Sequence, residues 1–140
     1  MNRSQNMARV RSTNTKPELY LRKLLWAQGV RYRINDRRFP GKPDIYVGKY
    51  RTAIFVNGCF WHMHACPLST VPKTNTEFWR KKLERNAERD KENYMHLKEM
   101  KINVIVVWGC EIRKMAKDER FREEMLNGIL KKMQEDKKRR

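Results

Sequence analysis

Two cysteines and two histidines fall within eight consecutive residues, Cys59-Phe60-Trp61-His62-Met63-His64-Ala65-Cys66, and no other stretch of the 140-residue chain constrains its fold as much. Thiolate and imidazole are the ligands zinc prefers, and structural zinc sites are closed tetrahedral sets of them. The segment has few apolar side chains to hold it by packing, so a metal is its expected fold determinant. Cys110 follows an apolar strand and can fold back to the same place. Three cysteines, an odd number, argue against a disulfide framework. Cys59, His64, Cys66 and Cys110 would make a closed site and leave His62 free. Spacing alone does not choose between His62 and His64. The plainer reading, three incidental cysteines, fits a lone cysteine better than this density.

The flanking segments are patterned for an α/β fold. Thr15-Lys16-Pro17-Glu18 has the form of a capping box with proline in the first turn, and predicts a helix over Pro17–Gln28 that ends at Gly29. Leu21, Leu24, Leu25 and Gln28 share its inner face. Val30–Asn35 alternates like a strand. Phe39-Pro40-Gly41-Lys42-Pro43 is a turn cluster, and Ile45–Val47 with Thr52–Val56 reads as a hairpin around Gly48. A second capping box, Thr74 to Glu77, predicts a long charged helix to Met100. Val104–Trp108 reads as a buried strand and Asp118–Met133 as an amphipathic helix. The order αβββαβα implies an α+β sandwich, a central mixed sheet with helices packed on it. Residues 1–14 read as an arm, 15–134 as one domain and 135–140 as a basic tail.

The net charge is +17, and the excess sits in residues 1–50 (+9) and 113–140 (+5). A charge of this size points to a polyanion, most simply nucleic acid. No segment shows the clean basic amphipathic helix of a membrane-surface binder. The longest apolar run, Val104–Trp108, has five residues against the roughly 20 of a membrane span. No apolar signal-peptide core opens the chain, so export is not expected. On the long helix, Lys81, Arg85 and Arg89 form a basic stripe. Phosphate contact is one reading of it, and pairing with Glu84, Glu88 and Glu92 is the other.

Asp44 stands at the head of a strand behind Pro-Gly-Lys-Pro. An aspartate there can bind a hard cation that also grips a phosphate, but on the residues alone a turn aspartate is the plainer reading. Phe39-Pro-Gly-Lys-Pro-Asp44, Ile54-Phe-Val-Asn-Gly-Cys-Phe-Trp-His-Met-His-Ala-Cys66, Thr76-Glu-Phe-Trp79, Asn86-Ala-Glu-Arg-Asp90 and Val107-Trp-Gly-Cys110 together resemble the very short patch repair (Vsr) endonucleases, as does Arg3-Ser-Gln-Asn-Met7. These blocks cover most of residues 3–112.

The resemblance implies a restriction-endonuclease-like fold of the PD-(D/E)XK superfamily. It implies a Mg2+-dependent nick in duplex DNA, 5′ to the thymine of a T:G mismatch left by deamination of 5-methylcytosine. The family's structural zinc ligands fall on Cys59, His64, Cys66 and Cys110. Its catalytic aspartate falls on Asp44, its histidine on His62 and its helix-borne glutamate on Glu18. Asp44 would hold Mg2+ together with the backbone carbonyl of Val56. His62 would take a proton from the attacking water. Glu18 would orient His62, besides serving as the capping-box acid. Phe60 and Trp61 would wedge into the base stack, with Met7 assisting from the other groove. Unstacking costs a few kcal/mol and less at a mismatch. Lys82 and Asn86 match family positions near the DNA. The expected enzyme is a bacterial, cytoplasmic monomer, associated with the nucleoid when bound, with mismatch-repair proteins as candidate partners.

The superfamily's second acid and lysine are missing along Ile54–Asn57, as they are in this family. The family's Thr-His pair there is Val56-Asn57 here. A backbone carbonyl survives the first change; Asn57 takes the catalytic position of the second, without the imidazole that would aid metal-bound water or the leaving group. Two alternatives follow: a nicking enzyme of the same family with another target, coupled to a restriction–modification system, and a zinc-stabilised DNA-binding module without catalysis.

Overall fold

The computed structural model describes residues 15–58 and 74–138. Helix α1 (Lys16–Ala27) starts where the capping pattern predicts. Thr15 is the N-cap; its Oγ1 accepts from the Glu18 N–H over a long 3.5 Å and donates to Glu18 Oε1 at 3.3 Å. Pro17 sits in the first turn, where its missing N–H costs nothing. Gly29, at φ +86°, ends the helix in the left-handed region. Leu21 and Leu25 are fully buried. Gln28, expected on the inner face, is instead the exposed C-cap.

The strand expected over Val30–Asn35 shrinks to β1 (Arg33–Ile34): Val30–Tyr32 do not join the sheet, and Asn35 at φ +47° turns the chain after Ile34. The loop to Asp44 then closes on itself through Asn35 N–H to Asp44 O (3.2 Å) and Asp36 N–H to Pro43 O (3.3 Å). Strands β2 (Ile45–Val47) and β3 (Thr52–Asn57) form the predicted hairpin, joined by a single 3-10 turn, Gly48–Tyr50, and by Arg51 at φ +47°. Helix α2 (Thr76–Glu99) begins differently from expectation. Its N-cap is Asn75 at φ +56°, with no side-chain cap, so Thr74 does not form a capping box. Strand β4 (Asn103–Trp108) follows.

Helices α3 (Gly109–Lys117) and α4 (Glu119–Lys138) complete the described chain. The sequence pattern shows only the second. No Ser, Thr, Asp or Asn precedes α3; its start is fastened by Glu111 Oε1, which accepts from the Trp108 N–H at 2.9 Å. Asp118 caps α4 by accepting from the Phe121 N–H at 3.1 Å.

The sheet runs β1-β2-β3-β4, antiparallel except for the parallel β3–β4 pair. Alternate residues of a strand point to opposite faces, and the core divides accordingly. Ile45, Val47, Ile54, Ile105 and Val107 pack with Leu21, Leu25, Ile112, Met115 and Ile129 from α1, α3 and α4. On the other face, Ala53, Phe55, Val104 and Val106 pack against Tyr94 and Leu97 of α2. Each buried Leu or Ile contributes about 1.5–3 kcal/mol. The result is the mixed sheet between helices that the sequence implies.

Candidate functional site

The carboxyl ends of two parallel strands create the site. Asn57 of β3 lies beside Trp108 of β4 in the parallel register, and ligands of open α/β sheets bind beyond such ends. Gly58 leads directly from β3 into the Cys/His segment. Cys110, half-buried in the first turn of α3, leaves β4 at the same edge. The remaining zinc candidates, Cys59, His64 and Cys66, lie outside the described residues, as do His62, Phe60, Trp61 and Met7. Among the described residues no group of three or more His, Cys, Asp or Glu is placed to hold a metal.

Asp44 reaches this edge from the antiparallel side. Its Oδ2 accepts from the Val56 N–H at 2.7 Å. The turn before it makes that possible. Gly41 adopts φ +79°, and a Cβ on it would stand 3.1 Å from Asn93 Cβ and 3.1 Å from Phe55 Cε1. Only glycine lets the loop press this closely between α2 and β3. Pro43, fully buried, follows. The β2–β3 register, extended beyond Ile45 and Ile54, sets Pro43 opposite Val56. A strand residue turns its N–H and C=O to the same neighbour. Val56 therefore also turns its carbonyl toward β2, where Pro43 has no N–H to donate. A carboxylate and a carbonyl without a ladder donor, side by side, suit a hard, oxygen-preferring cation such as Mg2+.

Asn57 lies buried on the α2 face of β3, and its Nδ2 donates to Tyr94 Oη at 2.7 Å. Burial, helped by the negative charges of Asp90 and Asp44 and opposed by the Asn57 bond, pushes the Tyr94 hydroxyl up to about 12. Asp44, Asp90, Asn57 and Tyr94 thus share one electrostatic environment. Sequence reasoning did not single out Tyr94 or Asp90. A signal was present: Lys82, Asn86, Asp90 and Tyr94 recur every fourth residue and so line one face of α2. Asn86 is half-buried on that line, and the Lys82 ammonium lies 5.6 Å from the Trp79 ring centre.

Glu18 is only 2% exposed and pairs with Arg22, Nη2 to Oε2 3.1 Å. It holds both the cap position and a buried ion pair. Lys81, Arg85 and Arg89 are exposed, and no ion pair joins them to Glu84, Glu88 or Glu92 among the described residues. The pairing reading of that stripe is not what the structure shows.

The family model described as DNA mismatch endonuclease Vsr matches residues 1–68. The type II nicking enzyme V.NmeAIP of Neisseria meningitidis is 48% identical over 114 residues, 81% of this chain and 81% of that protein. The DNA mismatch endonuclease Vsr of Escherichia coli is 44% identical over 111 residues, 79% of this chain and 71% of that protein. The type II nicking enzyme V.XorIIP of Xanthomonas oryzae is 42% identical over 106 residues, 76% and 78% of the two chains.

Proposed function

We propose that this chain, which belongs to the Vsr family of DNA mismatch endonucleases and is accordingly a nuclease, nicks one strand of duplex DNA 5′ to the thymine of a T:G mismatch. The observation that carries this reading is the Asp44 carboxylate fixed on the Val56 N–H at 2.7 Å. Asp44 and the Val56 carbonyl would hold Mg2+, which when bound would polarise the scissile phosphate and offset its developing charge.

The chain's own groups would do the rest. His62, with an intrinsic pKa near neutrality, would accept the proton of the attacking water. Glu18, fixed by Arg22, would orient His62. Asn57 is a neutral amide that neither gains nor loses a proton near neutral pH, so proton transfer falls to His62 while Asn57 braces Tyr94. Phe60 and Trp61 would enter the base stack with Met7, selecting the step that is weakest to unstack. Lys82 and Asn86 would face the duplex from α2. Cys59, His64, Cys66 and Cys110 would hold structural Zn2+ and fix the wedge-bearing segment. The enzyme would act as a bacterial cytoplasmic monomer, with mismatch-repair proteins as candidate partners. Among the described residues no helix is long and apolar enough to cross a membrane.

Purified protein should nick a T:G duplex in Mg2+ and leave the matched duplex intact. Asp44→Ala should lower the nicking rate at least 10³-fold, on the scale of losing a metal's stabilisation of transition-state charge. Full activity in that variant would refute the site. Protein purified without chelator should carry one zinc per chain, and metal analysis well below that would refute the zinc ligand set. The relatives named type II nicking enzymes favour one second reading, a target tied to a restriction–modification system. Assaying T:G, G:C and methylated duplexes side by side separates the two.

A further inference from the structure

Around the edge strand β1 lies an open cleft of about 400 Å³ bordered by Arg31, Tyr32, Arg33, Arg38, Tyr46 and Gly48. None of these residues belongs to the site described above. Three arginines border it, and the neighbouring carboxylate, Asp36, is bound to Arg38. Two of the three are held in place. Arg31 stacks 3.5 Å from the Trp26 ring centre, and its Nη1 donates to the carbonyls of Trp26 (3.1 Å) and Val30 (3.2 Å). Arg38 grips Asp36 in a fork, Nε to Oδ1 at 2.9 Å and Nη2 to Oδ2 at 2.7 Å, yet its side chain stays 60% exposed. This pair holds the Asp36 carboxyl below its ordinary range. Arg33 is exposed on β1 and makes no ion pair with a described residue. Arginines whose forks are fixed in advance lose little entropy on meeting an oxyanion, which suits them to phosphate.

The cleft's position says which phosphate. Arg33 is the cross-strand partner of Tyr46, so both point to the α2 face, where Tyr46 packs. Asp44 is two residues before Tyr46 and shares that face, about 7 Å along the strand. A strand of DNA with its scissile phosphate at Asp44 would pass the cleft within a few nucleotides. We infer that the Arg31–Arg33–Arg38 cleft receives a backbone phosphate of the nicked strand flanking the scissile one. This rests on the reading of the chain as a duplex nickase. It adds a sequence-independent anchor on the opposite side of Asp44 from the carboxyl end of β3.

The test uses the full chain with Arg31→Gln and Arg33→Gln as separate variants, each checked for an unchanged unfolding midpoint. Each should weaken binding to T:G and matched duplexes alike, by about threefold to tenfold, and reduce the slope of log affinity against log salt by about one. Duplexes carrying a single neutral methylphosphonate, stepped along the nicked strand, supply the second measurement. One position near the scissile phosphate should weaken binding by the parent protein and no longer weaken binding by Arg33→Gln. Parental affinity and slope in both variants, or no methylphosphonate position whose cost disappears, would overturn the inference. If the parent nicks T:G duplex normally while either of those results holds, only this cleft is refuted. A parent that neither binds nor nicks duplex refutes the nickase reading, and the cleft's role with it.

Discussion

At the scale of single residues, the decisive contact is Asn57 to Tyr94. A buried amide whose hydroxyl partner is removed keeps its desolvation penalty, about 1–3 kcal/mol. Tyr94→Phe should therefore destabilise the fold by that amount, measured by urea unfolding at neutral pH. The same residue sets an alkaline limit. Its folded pKa of about 12 lies above the ordinary 10, so the neutral hydroxyl is favoured in the folded state. That contribution is complete below pH 10 and is lost as pH rises toward 12. Unfolding free energy should fall across this window in the parent and fall less in Tyr94→Phe. Asp44 was legible as a candidate through the family resemblance of Phe39–Asp44, since its turn setting alone favours an ordinary turn aspartate. The pairing of Asn57 with Tyr94 was not, since it joins residues 37 positions apart and no local pattern encodes such a bond.

At the scale of elements, the loop before β2 and helix α2 are keyed together at Gly41. Gly41→Ala meets two obstacles: φ +79° and a Cβ at 3.1 Å from both Asn93 and Phe55. It should cost about 1–3 kcal/mol, read as a lowered denaturation midpoint, and it should reduce nicking because the displaced loop carries Asp44. The elements that could be read from sequence are those with strong local signals. Thr15 with Pro17 begins α1, Gly29 ends it, and the β-rich run Thr52–Val56 marks β3. The elements misread are those whose ends turn on one local dihedral or side-chain contact. β1 is cut short by a positive φ at Asn35. α3 is started by a Glu111 side chain reaching back to the Trp108 N–H, without any of the usual capping residues.

At the scale of the whole molecule, a charge of +17 should make every duplex a ligand. Affinity for matched and mismatched DNA alike should fall steeply with salt. With six to ten phosphate contacts, a loss of about 10³–10⁵ between 50 and 200 mM is expected, measured by titration at several ionic strengths. Discrimination between T:G and matched DNA should be far less sensitive to salt if, as proposed, a wedge and a carboxylate act at one step of the duplex while the guanidiniums and ammoniums act along its length. A matched-to-mismatched ratio that collapsed with salt would show that charge, not unstacking, sets the preference.

The parallel pairing of β3 with β4 has a consequence in time as well as in space. Asp44, Val56 and Asn57 are made early in synthesis, but Tyr94 and the strand that backs β3 come after the long crossover through α2. Closing so long a connection is slow compared with forming a hairpin. The β2–β3 hairpin alone is marginal in water, so a growing chain or an N-terminal fragment cannot hold its carboxylate in place. The carboxylate and the strands around it therefore come together only when β4 docks on β3.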